Sequence, residues 1–263
     1  MKTKTSKAKP RRILVVDVGG SHVKFRVGAD GKAGRFDSGP KLTARQMVSG
    51  VTSAVPSSAY DAVSIGYPGL VFHGRIAANP HNLGSGWLHF DFQKAFGKPV
   101  RVINDAAMQA IGSYRGGRML FLGLGTGLGT ALIIDGYVEP MELGHMQYKK
   151  DGTFEDYVGE RGRLRMGTRK WRKAVRQVAD QLCKALEVDY VVVGGGNAKR
   201  LKRLAHNECL GDNDNAFVGG ERLWQSDEHP LRVYPQRSDI TSVDEPRRAR
   251  GGRRRATRPQ KPV

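Results

Sequence analysis

Two apolar runs in this chain each end in glycines and are followed at once by a second run, and this repeat constrains the fold more than any other feature. The first pair is RRILVVDVGG with HVKFRVG; the second is RMLFLGLGTGLGTALIIDG. Apolar runs of this length, broken by glycine turns, predict buried strands joined as β-hairpins. Between the hairpins, TARQMVSGVTSAV has helical spacing, DAVSIGYP has the character of a strand, and VRVIND predicts a strand whose last residues open the helix AAMQAIGSY. The stretch GLVFHGRIAANPHNLGSGW is rich in Gly, Asn and Pro and reads as a loop. Beyond the second hairpin come the amphipathic helix WRKAVRQVADQLCKAL, the buried strand DYVVVGGG and a final helix over NAFVGGERLW. Hairpin, helices, hairpin, helices is a duplicated pattern. It predicts two α/β lobes, 13–103 and 104–226, facing each other across a cleft where a ligand would sit.

The net charge of +19 over 263 residues is unevenly placed. Six positives lie in residues 1–12 and eight in 247–263, so 14 of the excess charges belong to two terminal segments. Residues 1–12 read as a basic disordered arm and 227–263 as a polar, then Arg-rich, disordered tail. A third cluster lies inside the body: Arg161, Arg163, Arg165, Arg169, Lys170, Arg172, Lys173 and Arg176. It reads either as a solvated helix face or as a surface attracting polyanions, whether phosphate chains or nucleic acid. No apolar run approaches the ~20 residues that span a bilayer, and the N-terminal stretch lacks the apolar core of a signal peptide. No membrane contact and a cytoplasmic location are the expectation. Cys183 and Cys209 are the only cysteines and form no Cys-x-x-Cys pair, so neither a disulfide framework nor a cysteine-built zinc site is supported.

Candidate chemistry gathers at the strand ends. In DVGGSHVKF, Asp17 stands where it could hold Mg²⁺ through water, and glycines let backbone N–H groups approach phosphate oxygens. Taken alone, a Gly-Gly pair before a strand is more often an ordinary hairpin turn. Gly125, Thr126 and Gly127 repeat the arrangement in the second hairpin, and Gly194 and Gly195 end a third strand in the same style, suited to close approach of a phosphate chain. Asn104 and Asp105 follow a strand and begin a helix. They read as a helix cap or as a carboxylate projecting into the cleft to accept the proton of an attacking hydroxyl. Glu142 and His145 in MELGH form a second acid and imidazole pair, of a kind that reads sugar hydroxyls or satisfies itself.

Taken in order, DVGGSHVKF, SIGYPGLV, NLGSGW, VINDAAMQA, FLGLGTGLGTALIIDG, ELGH and VVVGGG resemble the ROK family, and within it the polyphosphate- or ATP-dependent glucokinases. The resemblance covers roughly residues 13–224. It implies an actin-like ATPase (ribonuclease H-like) fold with two lobes around a cleft. It implies a hexose kinase that moves a phosphoryl group from polyphosphate or ATP to the 6-hydroxyl of glucose, with Asp105 as general base. By the same resemblance Asn82, Asn104, Glu142, His145 and Glu155 would bind the sugar. Asp17, Gly19, Gly20, Ser21 and Lys24 would form the first phosphate loop, and Gly125, Thr126 and Gly127 the second, with Mg²⁺ as cofactor and a homodimer as the common assembly. Many ROK proteins follow ELGH with zinc-binding cysteines. QYKKDGTFEDYV has none, so zinc is not expected and His145 is left as a sugar ligand or a bystander. ROK repressors carry an N-terminal helix-turn-helix, whereas the first phosphate strand here starts at Ile13, so direct operator binding is not expected. Two other readings stand beside the kinase: a catalytically inactive sugar sensor of the same fold, and a polyanion or nucleic-acid binder acting through the basic tails. The tails lack interleaved aromatics, so the latter rests on nonspecific phosphate attraction.

Overall fold

In the computed structural model, which describes residues 11–80, 82–150, 152–212, 214–225 and 232–233, the two apolar runs become the central strands of two sheets. Along β1 (Ile13–Val18) the side chains alternate between two cores: Leu14, Val16 and Val18 enter one, Ile13 and Val15 the other. A strand covered on both faces has no solvated side, which is why the run is continuously apolar.

β1 forms an antiparallel meander with β2 (His22–Val27) and β3 (Gly34–Asp37). Helix α1 (Ala44–Ala54), capped by a Thr43–Gln46 capping box, leads to β4 (Ala62–Tyr67), parallel to β1. A small hairpin, β5 (Val71–Phe72) and β6 (Arg75–Ile76), then α2 (Phe92–Phe96), lead to β7 (Val100–Asn104), parallel to β4. The second sheet starts after α3 (Asp105–Ser113). It opens with a meander of β8 (Arg118–Leu124), β9 (Leu128–Ile134) and β10 (Tyr137–Met141). The hairpin β11 (Gln147–Lys149) and β12 (Gly152–Thr153) and the helices α4 (Phe154–Val158), α5 (Glu160–Met166) and α6 (Thr168–Leu186) follow. They return the chain to β13 (Tyr190–Gly194), parallel to β8, and then β14 (Glu208–Leu210), parallel to β13, before α7 (Asn215–Arg222). Each sheet thus contains an antiparallel meander continued by two parallel strands, β3-β2-β1-β4-β7 in the first and β10-β9-β8-β13-β14 in the second, which has one further edge strand beside β10. The duplication read from the glycine hairpins extends to five strands in each half.

α3 and α7 lie between the sheets. α3 packs on β8, β9 and β10 of one and on β4 and β7 of the other; α7 packs on α3, β1 and β4. The expected lobe boundary at 103/104 falls at the end of β7, while α7, from the second half of the chain, rests on the first sheet. It is fastened there by buried Ser64, whose hydroxyl donates to the Gly220 carbonyl (2.6 Å) and accepts from Trp224 Nε1 (2.8 Å). The α3–α7 crossing is close because Gly112 and Gly219 face the partner backbone: a Cβ at Gly219 would overlap the Met108 carbonyl oxygen, and one at Gly112 the Asn215 carbonyl oxygen.

Three local readings differ from the structure. The Gly/Asn/Pro-rich stretch expected as loop contains the β5–β6 hairpin, turned at His73 (φ 49°) and Gly74 (φ 72°), the left-handed pair that suits a two-residue hairpin. Within the tail expected to lack structure, Arg232–Val233 forms β15, parallel to Tyr137–Val138 of β10, where the open edge of the sheet offers unpaired backbone groups. At the end of the expected N-terminal arm, Arg12 is docked, its N–H on Asp61 Oδ2 (2.8 Å) and its Nη2 on the Ser58 carbonyl (2.8 Å). Apart from Arg11, Arg12 and Arg232–Val233, the arm and tail lie outside the described residues. Among the described residues no helix is long and apolar enough to cross a membrane.

Candidate active site

The first glycine turn is closed by the Gly19 N–H on the His22 carbonyl (2.9 Å), while the Gly19 carbonyl accepts from Ser38 Oγ (2.6 Å). In the second, the Gly125 N–H bonds the Gly127 carbonyl (3.2 Å), and the Gly125 and Thr126 carbonyls both accept from the Glu160 N–H (3.1 Å each). Among the described residues, the N–H groups of Gly20, Ser21, Thr126 and Gly127 meet no acceptor. The two turns approach each other: a Cβ built on Gly20 would lie 3.9 Å from Thr126 Oγ1 and 3.5 Å from Asn82 Cβ. The turns thus bring unpaired amides of two sheets close together, the kind of material from which backbone anion cradles are built. Asn82 reaches it on an exposed turn pinned by buried Leu83 and Trp87, the indole donating to the Leu42 carbonyl (3.2 Å).

Asp17 is in register with Lys24 on one side and Gly66 on the other. Gly66 was not singled out from the sequence, yet it lets α3 press onto β4. A Cβ there would lie 3.4 Å from the Asp105 Cα and overlap Met108 Cε. Asp105 opens α3, with Oδ1 accepting from the Ala106 N–H (2.8 Å). Burial, then the negative charge of Asp17, pushes its carboxyl up to about 7; the Ala106 amide pulls the other way and Glu142 adds to the rise. Burial likewise pushes Asp17 up to about 6, against the pull of Lys24. A carboxyl titrating near 7 is placed to take up and release a proton at neutral pH.

The neighbouring Asn104 is the N-cap of α3. Its Oδ1 accepts from the Ala107 N–H (3.0 Å) and its Nδ2 donates to the Gly69 carbonyl (3.1 Å). The cap reading therefore holds for Asn104, leaving one amide hydrogen for a ligand. Glu142 begins the 3-10 turn Leu143–His145; its carbonyl accepts from the His145 N–H (3.1 Å), and the side chains of both residues are exposed. This turn is tied to β9 by Thr130 Oγ1, which donates to the Met141 carbonyl (2.6 Å) and accepts from the Leu143 N–H (3.2 Å).

Glu155, on α4, lies against the second glycine turn. Its Oε2 accepts from the Leu128 N–H (3.2 Å), and a Cβ at Gly127 would overlap its carboxylate. Gly194 and Gly195 lie at the base of the same turn, Gly195 (φ 82°) against the Leu124 backbone. Asn197, which the sequence did not flag, bridges them: its N–H bonds the Leu124 carbonyl (2.9 Å) and its Nδ2 bonds Glu160 Oε2 (2.8 Å).

No group of three or more His, Cys, Asp or Glu among the described residues is arranged to hold a metal on protein ligands alone. Mg²⁺ needs less, being held by one or two carboxylates with water and substrate phosphates. The mutually repelling Asp17 and Asp105 beside the unpaired amides of the glycine turns fit such an ion. The segment after His145 is held by an aromatic and cationic cluster. Tyr148 packs on Phe154 and Tyr157 (5.6 and 5.1 Å between centroids), and Lys149 Nζ lies over both tyrosine rings.

Two sheets of one topology, two helices between them and facing glycine turns define an actin-like ATPase fold. The chain belongs to the ROK family, whose model matches residues 13–162. It is 29% identical over 154 residues to the polyphosphate glucokinase of Mycobacterium leprae, a match covering 54% of this chain and 48% of that protein. The chain therefore spans about half the length of the curated relatives it matches. Its fold is like that of the inorganic polyphosphate/ATP-glucomannokinase of Arthrobacter sp. strain KM (TM-score 0.68, 24% identity, 80% of this chain and 97% of that one). It is also like the ROK family glucokinase of Streptomyces griseus, solved with glucose and AMPPNP (TM-score 0.66, 20% identity, 81% and 98%).

Proposed function

We propose that this protein is a hexose kinase that transfers a phosphoryl group to the 6-hydroxyl of glucose or a closely related hexose, with polyphosphate or ATP as donor. The observation that carries the reading is Asp105, a half-buried carboxyl raised to about 7 at the start of α3, next to Asp17 and near Glu142. The kinship with polyphosphate glucokinases supports glucose as acceptor and polyphosphate as donor.

Asp105 accepts the proton of the attacking hydroxyl as the oxygen–phosphorus bond forms. Glu142, His145 and Asn82 hold sugar hydroxyls, and the remaining Asn104 amide hydrogen adds a donor. The unpaired N–H groups of Gly20, Ser21, Thr126 and Gly127, with Lys24, receive the phosphoryl oxygens and stabilise charge that grows on them during transfer. Mg²⁺, when bound near Asp17, neutralises donor phosphate charge. Glu155 fixes the shape of the second turn through Leu128 while keeping one carboxylate oxygen available to a sugar hydroxyl. Purified protein with glucose and Mg²⁺, given ATP or polyphosphate in a coupled glucose 6-phosphate assay, is expected to turn over with at least one donor. No product from glucose or mannose with either donor would sink the reading in favour of a non-catalytic sugar binder.

A further inference from the structure

Beside the C-terminal end of β13, the first half of α6 and the 201–208 segment enclose a groove of about 780 Å³. In open α/β sheets this end of the strands is where ligands gather. Arg169, Arg172 and Arg176 form one wall, three and four residues apart and so on one face of α6. At about 1.5 Å rise per residue they make a stripe about 10 Å long. Lys202 and Arg203 line the other wall. The one acid in the groove, Glu208, is engaged by the Ala205 N–H (2.8 Å). None of the five cations makes an ion pair among the described residues.

This sorts the run of basic residues seen in the sequence. Arg161 faces Asp156 (3.8 Å), Arg163 donates from Nε to Glu160 (2.7 Å), and Arg165 bonds the Asp156 carbonyl (2.8 Å) and stacks on Tyr157. Arg161 and Arg165 thus staple α5 to α4, and Arg163 is paired within α5. The α6 arginines, joined by two cations from a segment about 30 residues on, face a concavity instead.

Five like charges around one hollow repel one another and concentrate an opposing charge. Apart from the charged residues the lining is aliphatic, Val193 included, so no ring is present on which nucleic-acid bases would stack. A thin polyanion without bases fits better. The groove is also bonded to the second glycine turn. Arg172 Nε donates to the Arg200 carbonyl (2.6 Å), Arg200 Nε to Asn197 Oδ1 (2.9 Å), and Asn197 Nδ2 to the Gly125 carbonyl (3.4 Å).

We infer that this groove binds a chain of inorganic polyphosphate, gripping the part of the donor remote from the reacting hydroxyl. The role as donor grip rests on the phosphoryl-transfer reading; the binding does not.

The test compares the full chain with R169Q/R176Q/K202Q, whose three altered side chains make no hydrogen bond in the described structure, each protein checked by Tm. Both share the Arg-rich 247–263 segment, so the difference between them reports the groove. Each is titrated calorimetrically at fixed salt with long-chain polyphosphate, tripolyphosphate and an RNA oligonucleotide. The wild type is expected to bind the long chain more tightly than tripolyphosphate. The variant should bind it about tenfold more weakly or worse, with a shallower dependence on salt. Equal affinity in the two proteins overturns the inference. So does RNA binding tighter than polyphosphate and lost in the variant, which would make the groove a nucleic-acid site. In hexose phosphorylation driven by polyphosphate, the variant should show a raised KM for polyphosphate with kcat kept. If neither protein phosphorylates any hexose, the kinase reading fails and the binding comparison still decides the groove.

Discussion

Asp17 lies one residue before the end of β1 in the first sheet and Asp105 opens the helix that leads to the second sheet, yet the charge of Asp17 raises the proton affinity of Asp105. Burial is the larger cause, so removing Asp17 should lower the Asp105 titration without returning it to the ordinary carboxylate range. In the unliganded protein, Asp17→Asn is expected to move the carbon-13 carboxyl titration of Asp105 down from about 7. An unmoved titration would mean that the two carboxylates do not interact.

The same raised value sets a stability signature. A native carboxyl titrating near 7, against an ordinary value near 3.8, binds protons more tightly folded than unfolded. Stability from this group is therefore fully present below pH 4, declines as pH rises to about 7, and is flat above. Asp105→Asn removes the cost of a partly desolvated charge. It should stabilise the protein at pH 8 by on the order of 1–3 kcal/mol, with the gain fading towards pH 4. Turnover should fall by about 10²–10⁴-fold while hexose binding persists. Thermal melts across pH and a coupled assay check both; a variant with near wild-type turnover would remove Asp105 from the role of base.

Glu155 and Gly127 are joined through one contact. A methyl group at Gly127 would overlap the Glu155 carboxylate, the mobile end of a side chain, so Gly127→Ala should cost little stability. It should nevertheless drive Glu155 off the Leu128 N–H and distort the turn. The expected outcome is a Tm close to wild type with KM raised for both sugar and donor. Glu155→Gln keeps an acceptor for Leu128 and should retain donor KM while raising sugar KM. If the two variants raise the same constants, Glu155 does not link the two substrates.

Local pattern carried the central strands, the start of α3, and α6, because glycine punctuation and periodicity are properties of the segment itself. It also carried the repeat, whose two hairpins occupy matching places in their sheets. What stayed hidden depends on partners distant in sequence. That Asn104 spends its carbonyl on Ala107 and an amide hydrogen on Gly69, or that Lys202 joins Arg176, follows from how elements meet. Gly66 looked like any glycine in a strand, and only the approach of α3 gives it a purpose. The basic run from 161 to 176 looked uniform because charge counting does not see which arginines find an acid.

The glycines of the α3–α7 crossing yield the strongest stability prediction. Gly219 lies in a helix, where alanine is intrinsically favoured by about 1 kcal/mol. On propensity alone, Gly219→Ala should therefore stabilise. Here a Cβ would overlap the Met108 carbonyl oxygen and lie 2.9 Å from the Met108 carbonyl carbon, and helix backbone does not yield as a side chain does. The helices would have to separate, opening the core that both sheets share through Ala107, Ile111, Ala216 and Phe217. The expected change is a loss of about 1–3 kcal/mol or more, the range for overpacked cores. Gly112→Ala should behave alike, since it meets the Asn215 carbonyl oxygen at the same crossing. Because one separation relieves both clashes, the double variant should cost less than the sum of the two singles, measured by urea denaturation. Strict additivity would show that the two glycines do not share one close approach, and a stabilised Gly219→Ala would show that the helices cross further apart.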